Sequence, residues 1–179
     1  RSTVENVCGK TGSRYNIGGD LASTTIEGWR LKVGCCDPEG NYYSCYSWFG
    51  HNGGLALISE KKNLSKKIIS ELVNDVMYHK VTEKLYAVST QKNVIYEIDP
   101  SNDWKVKRRY LKPQDPPDKQ VDYNSTSCIA YCTVDGYFYG RTATKQLFRF
   151  KLEDMVENIK SLDPLLYSHL THQKYIRIK

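Results

Sequence analysis

Residues 85–100, Leu85-Tyr86-Ala87-Val88-Ser89-Thr90-Gln91-Lys92-Asn93-Val94-Ile95-Tyr96-Glu97-Ile98-Asp99-Pro100, constrain this chain most, because they read as two strands folded over a short polar turn. Leu85 to Val88 is apolar on both alternating faces, as expected of a strand buried between two layers. Val94, Tyr96 and Ile98 share one face of the second strand, with Ile95 and Glu97 opposite. Asp99-Pro100 ends that strand, since proline cannot donate to a ladder.

The hairpin recurs. Cys128 to Val134 reads as a strand, Asp135-Gly136 is a hairpin-turn signal, and Tyr137-Phe138-Tyr139-Gly140 corresponds to Leu85-Tyr86-Ala87-Val88. Leu147-Phe148-Arg149-Phe150 then parallels Val94 to Ile98. An earlier copy runs from a half-buried strand at Trp29 to Cys36, through the Asp37–Asn41 turn, into an aromatic strand at Tyr42 to Phe49 and a buried one at Leu55 to Ile58. Between the copies, Ser59 to Ser70 reads as a solvated loop or short helical turn and Val73 to Tyr78 as a strand. Trp104 to Leu111 reads as a basic strand at an exposed edge.

Three units starting near Tyr42, Leu85 and Tyr137 have the ~40–50-residue spacing of a propeller blade. The segments Leu85–Val88 and Ile95–Pro100, and with them Tyr137–Leu152, resemble inner blade strands of extracellular β-propellers, without glycine-histidine or tryptophan-aspartate signatures. The expected fold is therefore all-β or β-rich, with about three propeller-like blades. A disulfide-linked β-sandwich or barrel is the alternative. A single domain spans 1–179, with a loop-rich lead-in at 1–28, the repeated units at 29–152, and a helix followed by a closing strand at 153–179. Met155, Val156 and Ile159 place the short C-terminal helix over Glu153 to Leu162.

Cysteines and sequons bear on the compartment. Cys8, Cys35, Cys36, Cys45, Cys128 and Cys132 form an even set, and Asn63-Leu64-Ser65 and Asn124-Ser125-Thr126 are glycosylation sequons. Together they predict a secreted, disulfide-linked glycoprotein, with the start at Arg1 fitting a mature or trimmed product. No apolar run approaches the ~20 residues of a spanning helix.

Signals for chemistry are few. There is no Gly-x-Ser-x-Gly, and Gly9-Lys10-Thr11 lacks the earlier glycine of a phosphate loop. His169 and His172 find no third ligand, so neither a metal nor a cofactor is expected. His51 and His79 are the candidate general bases of an alternative reading as a secreted hydrolase acting on a glycan or nucleic acid.

Binding fits the composition better. Fourteen tyrosines, a net charge of +6 and a basic run favour contact with an extracellular glycan or protein receptor, including a sulfated glycan. The candidate contacts are Tyr42, Tyr46, Trp48, Tyr137 and Tyr139 with Lys105, Lys107, Arg108, Arg109 and Lys112. A structural or assembly role, in which a homodimer completes a ring, is the remaining alternative.

Overall fold

The computed structural model describes residues 4–8, 16–25, 31–48, 52–92, 94–112 and 125–157. They form three antiparallel sheets, each an up-and-down meander. Sheet 1 runs β1 (Leu31–Cys36), β2 (Tyr42–Trp48), β3 (Asn52–Ser59) and β4 (Leu64–Ile69). Sheet 2 runs β5 (Asp75–His79), β6 (Lys84–Val88), β7 (Ile95–Asp99) and β8 (Lys105–Leu111). Sheet 3 contains β9 (Thr126–Cys132), β10 (Tyr137–Thr142) and β11 (Leu147–Phe150), and a last short strand, β12 (Met155–Val156), returns to the edge of β8.

The first strands of the three sheets adjoin, with β5 against β1 on one side and β9 on the other. Sheet 2 is consequently buried on both faces. Leu85, Ala87, Tyr96 and Ile98 join Tyr43, Leu55 and Leu57 of sheet 1 in one core. Tyr86, Val88 and Ile95 join Ile129, Phe138, Phe148 and Phe150 of sheet 3 in a second. This is why the opening hairpin is apolar on alternate residues of both registers: Leu85 pairs with Ile98 and Ala87 with Tyr96, and each face has its own sheet to fill. Ile17 and Leu21 of the lead-in cover the outer side of sheet 1 with Tyr46, Ala56 and Ile58.

The segments at Tyr42, Leu85 and Tyr137 are second strands, each preceded by the strand that touches its neighbouring sheet. The Lys-rich stretch expected as a loop or helical turn is β4, an edge strand whose Ser65 and Ile69 are buried while Lys67 stays exposed.

The expected C-terminal helix is corrected. Leu152–Asp154 is a single 3-10 turn, and Met155 and Val156 pair with Leu111 and Tyr110. Adjacent apolar residues fit either period, and here the open edge of β8 supplies ladder partners while Met155 enters the second core. Residues 158–179, including the expected closing strand, lie outside the described residues.

The expected disulfides are also corrected, since all six cysteines are free thiols. Cys128 and Cys132 lie four residues apart on β9, a span of about 13 Å along an extended strand and well beyond the ~7 Å a disulfide bridges. Cys35 packs on the first core while its neighbour Cys36 is exposed. Among the described residues, no helix is long and apolar enough to cross a membrane.

Candidate ligand-binding face

Alternation on the third sheet sorts its residues sharply. Phe138, Phe148 and Phe150 point into the second core, with Phe138 and Phe150 stacked at 5.2 Å. Their neighbours Tyr137, Tyr139, Arg141, Leu147 and Arg149 therefore occupy the opposite face, together with Cys128, Ala130 and Cys132 of β9. Arg141, Leu147 and Arg149 are exposed, and Tyr137 and Tyr139 are half-buried.

Cations gather on this face. The Arg149 guanidinium lies 4.3 Å from the centre of the Tyr137 ring, and the Lys151 ammonium 5.1 Å from it. Tyr139 donates to Asp135 at 2.6 Å, and the Tyr137 backbone N–H donates to the same carboxylate at 2.9 Å. These two bonds hold Asp135 below the usual carboxylate range. Among the described residues, Arg141, Arg149 and Lys151 form no ion pair with a carboxylate. Among the described residues, the face thus presents tyrosine rings and the cations Arg141, Arg149 and Lys151 beside the acid Asp135.

The basic strand is a different case. Its alternation divides the charges between two faces, and each of the central three meets an acid. Lys107 reaches Glu157 at 3.6 Å, Arg108 bonds Glu71 at 2.6 Å, and Arg109 grips Glu97 through two bonds of 3.0 Å. Burial pushes the Glu97 carboxyl up, but the bonds and charges of Arg109 and Lys84 outweigh it and leave it below its ordinary value. Lys105 and Lys112 are exposed at opposite ends of the strand. The strand does not form one basic track, and β12 covers part of its edge.

The remaining candidates separate by burial. Tyr42 is exposed at the start of β2, while Tyr46 is buried under the lead-in. The Trp48 side chain, His51 and Asn124 lie outside the described residues. Asn63 is exposed in the β3–β4 turn, whereas Ser65 of its sequon is buried, bonded to Thr24 at 2.6 Å and accepting from Gly18 N–H at 2.9 Å. His79 is 3% exposed among Tyr86, Tyr131 and Phe138. Its Nδ1 lies 2.8 Å from the Thr82 hydroxyl and 3.4 Å from the Thr82 backbone N, and its Nε2 has no partner among the described residues. Burial pushes its pKa down.

No protein-family model matches the chain, and no curated protein matches it by sequence. Among solved structures, it is similar to a selenomethionine-substituted virginiamycin B lyase from Staphylococcus aureus, at 13% identity and a TM-score of 0.41. The likeness covers 68% of this chain and 41% of that one, so the chain spans about two-fifths of the neighbour's length.

Sequence reasoning picks out Tyr137 and Tyr139 but misses Arg141, Arg149 and Lys151. The signal was available, since pairing Tyr137–Gly140 with Leu147–Phe150 over the intervening loop puts Arg149 opposite Tyr139.

Proposed function

We propose that this chain is an extracellular binding protein that holds a sulfated glycan on the outer face of sheet 3, acting by occupancy without turnover. The supporting observation is the half-buried Tyr137 ring with the Arg149 guanidinium 4.3 Å and the Lys151 ammonium 5.1 Å from its centre. A sugar ring stacks on tyrosine, and a planar guanidinium holds a sulfate through paired N–H bonds. The extracellular setting rests on the sequons at Asn63 and Asn124, because free thiols remove the cysteine count as an argument for it.

In the same reading the three meanders are propeller-like blades with β1, β5 and β9 innermost, an arc short of the ~4–8 blades that close a ring. Heparin chromatography tests the reading. Arg149→Glu with Lys151→Glu should elute at clearly lower salt, while Lys107→Glu with Arg108→Glu should shift less. Equal shifts for both pairs, or a homodimer that buries this face and is indifferent to heparin, would overturn it.

A further inference from the structure

A cleft of about 250 Å³ opens beside the second core, lined by Thr82, Lys84, Tyr86, Glu97 and Arg109, with Leu152 and Met155 as an apolar wall. It lies apart from the Tyr137 face, and nothing in the binding reading above uses it. Two of its properties indicate an occupant.

Charge is the first. Glu97 is buried and paired to Arg109, Lys84 bridges Glu97 and Asp99 at 3.5 Å each, and Glu157 lies 3.6 Å from both Arg109 and Lys107. The lining itself holds two cations and one carboxylate, and Asp99 and Glu157, just outside it, complete the pairing of Lys84 and Arg109. A charged ligand would have to break a pair already made.

A loose hydroxyl is the second. The Tyr86 hydroxyl stands 3.3 Å from that of Thr82, which is already engaged with His79 Nδ1 at 2.8 Å, and reaches Glu97 Oε2 only at 3.5 Å. Good O–H···O bonds are about 2.7–2.8 Å. A hydroxyl entering the cleft gains shorter bonds than Tyr86 now makes, accepting from Lys84 or Tyr86 and donating to Glu97. The volume is below the ~300–1,000 Å³ of sites for drug-sized ligands, so the occupant is small. We infer that this cleft binds a small, neutral, polyhydroxylated molecule of monosaccharide size, with its C–H face on Met155 and Leu152.

The chain has only two methionines, Met77 and Met155, which makes the test direct. With methyl-labelled methionine in the full chain, D-glucose, D-galactose, D-mannose and myo-inositol are titrated separately by NMR, with D-glucuronate as the charged control. At least one neutral probe should shift the Met155 methyl saturably while moving Met77 less. Tyr86→Phe should weaken that probe by about tenfold, the loss of one good bond. Leu152→Trp, at a position 39% exposed and therefore tolerant of change, should fill the cleft and abolish the shift. No Met155 shift with any neutral probe, an undiminished shift in Leu152→Trp, or a preference for glucuronate would overturn the inference. Heparin binding is read on the other face, so either result can fail without the other.

Discussion

The indole N–H of Trp104 donates to the hydroxyl of Tyr43 across 2.8 Å, tying the start of β8 in sheet 2 to β2 in sheet 1. The Tyr43 hydroxyl donates onward to Asp37 at 2.7 Å, and Asp37 also accepts from the backbone N–H groups of Glu39 and Asn41. Trp104 is held in place despite a left-handed backbone, with φ of 55°. That conformation costs a bulky residue of order 1–3 kcal/mol. The ammonium groups of Lys62 and Lys66, 4.8 and 5.2 Å from the ring centre, help to offset it.

This arrangement ranks two substitutions. Trp104→Phe removes one donor and leaves Tyr43 bonded to Asp37, so it should lower stability by about 1–2 kcal/mol. Tyr43→Phe leaves the indole N–H without its acceptor and the buried Asp37 Oδ2 with the Asn41 side-chain amide as its remaining donor, and should cost about 2–3 kcal/mol. Urea unfolding gives both values. A larger loss for Trp104→Phe would mean that ring packing, and not the hydrogen bond, joins the sheets.

The buried histidine makes stability depend on pH. His79 lies below its ordinary value of 6.5 because burial disfavours the imidazolium. The imidazolium donates from both ring nitrogens, and among the described residues its buried Nε2–H has no acceptor. The unfolded chain therefore takes up the proton first as pH falls. Stability from this group is fully present above 6.5 and is lost as pH drops from there through the lower folded value. Urea midpoints measured downward from neutral should fall in that window. His79→Asn, which keeps an acceptor near Nδ1, should flatten the slope, and a slope that survives it would assign the effect elsewhere.

Thiol reactivity should follow position. Cys36 and Cys128 are exposed and should label rapidly in the native protein. Burial pushes Cys35 up to about 12 and raises Cys45 further, so both should label only on unfolding. Mass spectrometry after pulse alkylation reads each site separately. A native protein in which no cysteine labels, and whose mass rises only after reduction, would restore disulfides.

The central hairpin is legible in sequence because both faces of sheet 2 are buried, and two-sided burial writes itself into adjacent residues such as Leu85, Tyr86, Ala87 and Val88. β4 is not legible, since its lysines record an edge position, and the pairing with β3 that makes it a strand lies outside its own sequence. β12 fails similarly, because two apolar residues have no period of their own. The basic run of β8 is plain in sequence, but its acids are not: Arg108 meets Glu71 from 37 residues away, and only the fold brings them together. The same distance effect hides the cleft, where Tyr86, Glu97, Arg109 and Met155 come from four different strands.

One close approach in sheet 3 can be tested without reference to any ligand. A Cβ added to Gly140 would sit 2.7 Å from Cε1 of Phe148 and closer still to the tip of the ring. Gly140 and Phe148 are opposite each other on β10 and β11, so the missing side chain is what lets the ring lie across the strand and enter the second core. Gly140→Ala should therefore destabilise by overpacking, by about 1–3 kcal/mol. Phe148→Leu alone should also destabilise, through lost burial and the cavity left behind. Because the clash requires both groups, the double variant should be more stable than the sum of the two single losses allows, by about 1 kcal/mol or more in a double-mutant cycle. Strictly additive losses would show that the ring moves aside freely, and that Gly140 is not what seats Phe148 in the core.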